Sequence, residues 1–362
     1  MIFQWYLFVL MIAVAMGQMV MGNNYYKNEN GIMKYGNVAV FCLIIPMIYL
    51  AATRRSLQFG DTPAYVNWFL DFPNSIDGLK DYLTPETKDK GFAVFSVLIK
   101  SIIGNNVDIY FAIIALICIA CVAKTYQKLS CNFIMSMFLF VASGEYLQWT
   151  YNGIRQFIPV AICFGCAGLL VKKKYLPLIG IILVVSTIHA TALLMIPVIF
   201  LVQGRALNSK TLGFGIVVIA AIAYLEEFTG LITLVMENTQ YSNEVDQFLA
   251  TEGTNILRVF VFAIPPVLAL LFKKYIDHAN DPIINVSVNM SIISLGIYIV
   301  SAFTSGIFIG RLPIYFSLYN YILIPWIVEN CFEKRSAKLV YIFLIIAYLF
   351  FYYYQVTVTW GL

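Results

Sequence analysis

The chain has few charged residues, and this scarcity excludes most soluble folds. Only 12% of its 362 residues are charged, whereas 61% are hydrophobic. A soluble globular domain carries about a quarter charged residues. The apolar runs are long rather than alternating, which is typical of membrane-spanning helices. We therefore predict an all-α, polytopic membrane protein, and the small net charge of +4 gives no reason to expect a nucleic-acid partner.

Several signatures of cofactor chemistry are also missing. The two histidines fall on opposite predicted sides of the membrane and the acids are scattered, so no metal-ligand spacing is present. The pairs Cys118-x-x-Cys121 and Cys163-x-x-Cys166 each lie inside an apolar run, and we interpret them as small buried hydrophobes. No glycine-rich phosphate loop occurs, which argues against a nucleotide donor used from the cytoplasm. We expect neither a metal nor a cofactor.

Roughly twelve apolar segments are candidates for membrane spans, and together they predict a single integral membrane domain over 1–362. The first segment lacks a preceding basic residue and a small-residue cleavage site, so we expect it to be retained. The short segment 191–203 is predicted to be a half-helix. The segments are Ile2 to Met21, 37–53, 108–124, 131–144, 154–171, 175–189, 191–203, 211–225, 255–272, 286–303, 312–329 and 338–356.

The basic residues predict the orientation, because cytoplasmic loops of membrane proteins are enriched in Lys and Arg. All the basic clusters between spans can be cytoplasmic if both termini face outward. Segment 54–107 then begins and ends outside, so its apolar piece from Phe92 to Ile103 is predicted to be an interfacial or re-entrant helix. The aromatic piece from Tyr65 to Phe72 is predicted to lie on the membrane in the same way. The outer face also receives the loop 226–254.

The stretch from Gly144 to Gln156 holds an acid and a base between two runs that lack charge. Glu145 and Arg155 stand there with Asn152 and Gln156 among aromatic residues. An ionised side chain in hydrocarbon costs several kcal/mol unless it faces a partner or a cavity, so these residues are candidates for function. The alternative is a loop at a helix end whose Arg155 extends to the lipid headgroups.

Three arginines are predicted at the outward mouths of spans. A guanidinium presents its donors in a fixed fork, which suits phosphate better than an ammonium does. Arg258 and Arg311 are predicted to lie within about one turn of an outward helix start, as Arg155 does. One arginine alone would be an anchor, but three favour a cationic basin for an anionic ligand.

A second polar stretch follows the second span directly. Gly-Asp-Thr, ending in Asp61 and Thr62, is typical of a turn that starts a helix, with Pro63 in the first turn. On that interpretation Asp61 is a helix cap. On the other, it is a carboxylate beside Arg54 and Arg55 that takes a proton from a hydroxyl. The basic pair could instead anchor the span at the interface.

His189 is predicted at a turn on the outer side, between two apolar pieces. A lone histidine in an apolar chain is more often a structural residue, but this position also makes His189 a candidate acid, base or diphosphate donor. The other histidine, His278, falls in a predicted cytoplasmic loop and is interpreted as solvated.

In these motifs the chain resembles the EpsG family, within the Wzy-type polysaccharide polymerases of bacterial membranes. The resemblance extends from about residue 50 to 330, in matching order and spacing. The combination of Asn-Gly-Ile-Arg-Gln with His-Ala-Thr-Ala carries it most strongly. The matching pieces are Arg55 through Gly60-Asp61-Thr62-x-x-Tyr65, Lys90-Gly91-Phe92 with Ile99-Lys100, Asn152-Gly153-Ile154-Arg155-Gln156, His189-Ala190-Thr191-Ala192-Leu193-Leu194 with Pro197, and Arg311-x-x-x-Tyr315-Phe316.

The resemblance implies a substrate and a reaction. The substrate is an oligosaccharide repeat unit on undecaprenyl diphosphate, and the growing glycan moves to a fresh carrier-linked unit on the outer leaflet of the bacterial inner membrane. No metal or nucleotide is implied. A chain-length regulator, a flippase and membrane lipids are candidate partners. The predicted layout of 54–107 also resembles GT-C-type transferases, which implies that Asp61 is a candidate for the base.

The motifs and the resemblance together give the expected roles of individual residues. Asp61, His189 and Glu145 are the candidate catalytic groups. Some aromatic residues, such as Tyr146, Trp149 and Tyr151, are candidates for stacking on sugar rings, although a membrane-interface belt accounts for most of the 16% aromatic content. The candidate ligands of the diphosphate or sugar are Arg155, Arg311, Arg258, Arg55, Asn152 and Gln156.

Two other classes of function remain open from the sequence. A flippase or transporter for lipid-linked oligosaccharides would also need basic residues and many spans. Against it, no internal repeat is convincing and the polar groups gather on one side rather than at the midplane. A membrane acyltransferase that modifies sugars would need polar groups on the inner side for its acyl donor, and few are present.

Overall fold

The computed structural model describes residues 2–21, 25–27, 33–54, 60–84, 87–237, 239 and 241–360. Arg55, one of the predicted diphosphate ligands, lies outside these residues. Within them the chain is helical apart from one hairpin, in which β1 (Tyr25–Lys27) pairs antiparallel with β2 (Met33–Tyr35). The all-α prediction is confirmed.

The helices follow the apolar runs of the sequence, and each predicted span overlaps at least one of them. Short 3₁₀ helices cover Ile76–Gly78, Ala190–Leu194, Ser242–Glu244 and Ile309–Arg311, and a π-helical turn covers Gln355–Thr359. The α-helices are α1 (Ile2–Met21), α2 (Asn37–Ala52), α3 (Thr62–Asp71), α4 (Leu79–Tyr82), α5 (Lys90–Ile103), α6 (Val107–Leu129), α7 (Phe133–Ala142), α8 (Glu145–Tyr151), α9 (Ile154–Gly165), α10 (Ala167–Val171), α11 (Tyr175–Ser186), α12 (Met195–Leu201), α13 (Ser209–Ala223), α14 (Leu225–Glu237), α15 (Val245–Ala250), α16 (Ile256–Leu271), α17 (Lys273–Ala279), α18 (Pro282–Phe303), α19 (Ile314–Ser317), α20 (Asn320–Cys331) and α21 (Lys334–Tyr354).

The chain divides into two compact units, and the first comprises 1–193 with 332–362. Its centre is α6, which packs against α2 and α9. Asparagine side chains start two of its helices: Asn106 Oδ1 accepts the Ile109 N–H at the start of α6, and Asn132 Oδ1 accepts the Met135 N–H at the start of α7. Such caps satisfy N–H groups that have no partner within the helix. The predicted single membrane domain stays a prediction.

The second unit comprises 194–331 and is built around α18, which packs against α13, α16 and α20. Two buried asparagines interrupt the apolar surface of α18. Asn285 Oδ1 accepts the backbone N–H of Ala206 at 3.1 Å, and Asn289 Oδ1 accepts that of Leu207 at 3.0 Å. Buried polar groups need such partners, and here they fix the turn before α13 onto α18.

Three helices are long and apolar enough to cross a membrane, namely 107–129, 282–303 and 334–359. Two bent pairs raise this number to five if each counts as one span: α13 with α14, bent by 98°, and α16 with α17, bent by 69°. These figures concern the described residues. Large apolar side chains also stand exposed on these helices, among them Ile216 at 69% and Phe343 at 72%. An exposed apolar surface of this kind suits lipid. The total of about twelve spans stays a prediction.

The segment between α2 and α6 holds the two helices that the sequence predicts to lie on the membrane. The aromatic piece forms α3 and the short apolar piece forms α5. At 14 residues, α5 extends about 21 Å, which is less than the hydrocarbon core of a bilayer. Segment 226–254, predicted as a loop, contains most of α14 and all of α15, because its apolar residues recur at helical spacing.

Candidate functional site

The start of α3 is tied to the end of α8 through Asn152. The Asp61 backbone N–H donates to Asn152 Oδ1 at 2.9 Å, and the Thr62 hydroxyl donates to the Tyr151 backbone oxygen at 3.2 Å. The Tyr65 hydroxyl contacts the Asn152 backbone oxygen at 3.5 Å. The structure thus brings together two of the polar stretches that the sequence indicates, and it gives Asn152 a role in joining them.

Asp61 occupies the N-cap position of α3, with Pro63 in the first turn as predicted. Its side chain nevertheless makes no capping hydrogen bond. The residue is half-buried, so the carboxylate is neither sequestered in the core nor fully solvated. Asp61 therefore occupies the predicted cap position, but its carboxylate does not cap the helix. The interpretation of this carboxylate as a proton acceptor stays a prediction.

Arg155 lies in the first turn of α9 and is held by two contacts. Its Nη1 atom donates to Asp89 Oδ2 at 3.0 Å, and its guanidinium carbon lies 4.7 Å from the centroid of the Trp68 ring. The Asp89 side chain is 5% exposed and that of Arg155 is 29% exposed. Across the described ranges, Arg155 forms no other side-chain hydrogen bond. The edge that carries Nε and Nη2 therefore remains available to a ligand.

The first turn of α5 docks on the turn that precedes His189. The Gly91 N–H donates to the Thr187 backbone oxygen at 2.8 Å. Since Asp89 stands two residues before Gly91, this contact places the Arg155–Asp89 pair in the neighbourhood of the histidine turn. His189 itself is half-buried, and its Nδ1 atom lies 2.7 Å from the Thr191 hydroxyl.

Arg54 is buried in the first unit, where it lies against aromatic side chains. It is 1% exposed, and its guanidinium carbon lies 3.6 Å from the centroid of the Phe111 ring. Its Nη1 atom donates to the backbone oxygen of Thr150. Among the residues that the structure describes, its Nε and Nη2 atoms have no hydrogen-bond partner. Burial lowers the pKa of Arg54 to about 10. This arginine is a core residue rather than a surface anchor.

The remaining candidates of the 144–156 stretch are buried. Glu145 is 0% exposed and accepts a hydrogen bond from Trp149 Nε1, and Gln156 is 5% exposed. Tyr146, Trp149 and Tyr151 are each 1% exposed. The hypothesis that these three rings stack on sugars is therefore wrong for this structure, because α8 packs between α7 and α9. The ring of Trp68, which lies against Arg155, is more exposed, at 39%.

A buried lysine fixes α3 to α5. Lys100 is 2% exposed, and its Nζ atom donates to the backbone oxygens of Leu70 and Phe72 at 2.7 and 2.6 Å. These carbonyls stand at the end of α3, where helix carbonyls have no partner within the helix. Burial lowers the pKa of Lys100. The lysine therefore stabilises the helix that carries Trp68 and begins at Asp61.

A family model described as the EpsG family matches residues 37–360. The chain belongs to the EpsG family. This is a family of Wzy-type polysaccharide polymerases, so the resemblance seen in the motifs is confirmed and the chain is a membrane protein of that class. No curated protein and no solved structure matches the chain.

The other two predicted arginines of this EpsG-family chain lie in the second unit. Arg258 is half-buried on α16, and its Nε atom donates to the Tyr298 hydroxyl at 3.3 Å. Its guanidinium carbon also lies 5.6 Å from the centroid of the Phe262 ring. Arg311 is half-buried at the end of the 3₁₀ helix Ile309–Arg311. The contacts of Arg258 join α16 to α18, which is a structural role; the predicted cationic basin stays a prediction.

Sequence reasoning missed Asp89 and Trp68. Asp89 stands between Lys88 and Lys90 in a polar stretch, where a solvated loop is the natural interpretation. Asp89 could have been singled out because it directly precedes the Lys90-Gly91-Phe92 motif. Within the described ranges, no group of three or more His, Cys, Asp or Glu side chains is placed to hold a metal.

Proposed function

We propose that the protein is the polymerase of a lipid-linked glycan. It transfers the growing chain from undecaprenyl diphosphate to a hydroxyl of a new carrier-linked repeat unit, on the outer leaflet of the cytoplasmic membrane. The acceptor oxygen forms a bond to the anomeric carbon, and the bond from that carbon to the diphosphate oxygen breaks. The hydroxyl proton passes to a base, and the diphosphate leaves with increased negative charge.

The observation that carries this proposal is the free edge of Arg155. A guanidinium with Nε and Nη2 side by side suits two oxygens of a phosphate group. Donors that are already oriented stabilise the charge that develops on a leaving group. Asp89 and Trp68 supply this orientation before a ligand arrives. We assign the diphosphate to Arg155 on this basis.

The base is assigned among Asp61, His189 and Glu145. Asp61 is favoured, because its carboxylate is half-buried and does not cap α3. His189 has an intrinsic pKa nearer neutrality and is the second candidate. The full burial of Glu145 against Trp149 ranks it third. Asn152 positions the Asp61 turn through its hydrogen bond.

In the proposed topology, 54–107 and 144–153 lie on the outer side of the membrane, and both termini face outward. The carrier lipid and the bilayer are its direct partners, and a flippase and a chain-length regulator act with it. Neither a nucleotide nor a metal takes part in the proposed transfer.

A deletion strain tests the class of function. Loss of a polymerase leaves single repeat units on the carrier or transferred singly to the cell surface. Loss of a flippase removes all of the glycan from the outside. We expect single units in the deletion strain and restored polymer on expression of the wild-type chain. Complete loss of the external glycan would contradict the proposal and favour the flippase.

A further inference from the structure

The carboxylate of Asp89 is buried although it does not cap the helix that it precedes. Asp89 stands at the N-cap position of α5 without a side-chain capping hydrogen bond, and its φ of 49° lies in the left-handed region. Asp tolerates this region better than most residues do. A buried carboxylate needs a partner to offset its desolvation. Arg155 supplies it, at 3.0 Å.

Backbone contacts fix the position of Asp89 independently of Arg155. Its backbone oxygen accepts the N–H groups of Phe92 at 2.8 Å and Ala93 at 3.3 Å. Two residues further, Gly91 is so close to Thr187 that a β-carbon there would stand 2.2 Å from the Thr187 hydroxyl. The first turn of α5 therefore holds the carboxylate in place, and the carboxylate in turn holds the more exposed and flexible arginine.

Two contacts then define the plane and direction of the guanidinium. Asp89 accepts a hydrogen bond from Nη1, and the centroid of the Trp68 ring lies 4.7 Å from the guanidinium carbon. An arginine without these contacts would sample many rotamers and would present its fork in many directions. With both contacts, the Nε and Nη2 edge is presented in one direction.

We propose that Asp89 is a positioning residue that orients the Nε and Nη2 edge of Arg155 for an acidic, diphosphate-type ligand. The inference rests on the proposed function. Charge alone predicts the opposite effect of Asp89, because a carboxylate near the ligand repels an anion. Removal of the carboxylate would then strengthen binding. If orientation dominates, removal of the carboxylate weakens binding of the ligand. The sign of the change in Kd therefore distinguishes orientation from charge repulsion.

The test measures the binding of a polyprenyl diphosphate to the purified full-length protein in detergent. Asp89→Asn keeps the shape of the side chain, and Asp89→Gly suits the left-handed backbone, so neither variant adds backbone strain. We expect Asp89→Gly, which leaves no acceptor for Nη1, to raise Kd about tenfold to a hundredfold, the range by which the loss of an orienting partner lowers affinity in metal sites. Asp89→Asn keeps an acceptor oxygen and should raise Kd less. In an Arg155→Gln background, the further effect of Asp89→Gly should be smaller than about threefold, because the two residues act as one unit.

Asp277→Asn is the matched control. It removes a carboxylate from the exposed Lys273–Asp277 ion pair in the second unit and should leave Kd unchanged. Wild-type or tighter binding by Asp89→Gly, with weak binding by Arg155→Gln, would overturn the positioning role and leave the proposed function standing. Equal losses from Asp89→Gly in both backgrounds would also overturn it, since Asp89 would then act independently of Arg155. No binding by the wild-type protein would overturn the proposed function itself.

Discussion

Gly60 lies against the side chain of Asn152, so closely that a β-carbon at Gly60 would stand 2.5 Å from Asn152 Oδ1. Gly60 also has a φ of +54°, which favours glycine. The same Oδ1 atom accepts the N–H of Asp61. The close approach of Gly60 therefore lets the Asp61 turn reach the end of α8.

The first prediction concerns this close approach. Gly60→Ala should displace Asn152 and weaken its bond to Asp61, with a cost of about 1–3 kcal/mol in stability and a marked loss of polymer. Gly144→Ala is the control, because Gly144 also has a positive φ, +82°, but an added β-carbon there would meet only the Gln355 side chain, at an ordinary contact distance of 3.9 Å. Polymer length on gels and thermal unfolding in detergent measure the two effects. Equal behaviour of both variants would show that backbone strain, rather than contact with Asn152, is what matters.

The second prediction concerns Lys100. Lys100→Met keeps the apolar stem but removes the donor to the Leu70 and Phe72 carbonyls. A hydrogen bond from a charged group contributes about 1.5–3 kcal/mol, so we expect a clear fall in Tm.

Lys80→Met serves as its control, because Lys80 is exposed on α4. This change should leave Tm nearly constant. If Lys100→Met unfolds at the wild-type temperature, the lysine does not fix the end of α3.

The third prediction separates the candidate bases. Asp61→Asn and His189→Ala should be compared in purified enzyme, with turnover and substrate binding measured separately. A base contributes about a hundredfold to ten-thousandfold in rate. We expect Asp61→Asn to lose turnover while it keeps binding, since Asn preserves the size of the side chain and the backbone N–H to Asn152.

The outcome for His189→Ala completes this comparison. Loss of turnover with intact binding in His189→Ala alone would move the role of base to the histidine. Near-full turnover in Asp61→Asn would remove Asp61 from the site.

The fourth prediction concerns sidedness. In a background without native cysteines, Asn67→Cys on α3 should react with an impermeant thiol reagent added outside intact cells. Lys172→Cys should not, because the basic cluster around it is predicted to be cytoplasmic. Both native residues are exposed, so the difference reports the side of the membrane rather than burial. Labelling of Lys172→Cys from outside would overturn the topology.

The helices could be predicted from the sequence because a run of apolar residues is a local signal. The short apolar piece of α5 and the aromatic piece of α3 were located in this way. The contacts of the site could not be predicted, because they join residues far apart in the chain: Asp61 and Asn152 are 91 residues apart, and Asp89 and Arg155 are 66 apart.

The burial of individual side chains could not be predicted from the sequence either. Glu145 and Arg155 belong to one polar stretch, yet the first is fully buried against Trp149 and the second is partly exposed. The packing of α8 between its neighbouring helices decides this difference, and composition does not show it. Arg54 is a similar case, since an arginine after a span is typical of an interface anchor, whereas the structure buries it against Phe111.

We propose that the protein extends a lipid-linked glycan and that Arg155 binds its diphosphate. The most direct measurement is polymerisation by the purified protein, reconstituted in vesicles with one defined carrier-linked repeat unit as substrate. We expect a ladder of products from the wild-type protein. Arg155→Lys should polymerise much less, although it retains the charge, because an ammonium lacks the paired donors of a guanidinium. No products longer than one unit from the wild-type protein, or a normal ladder from Arg155→Ala, would contradict it.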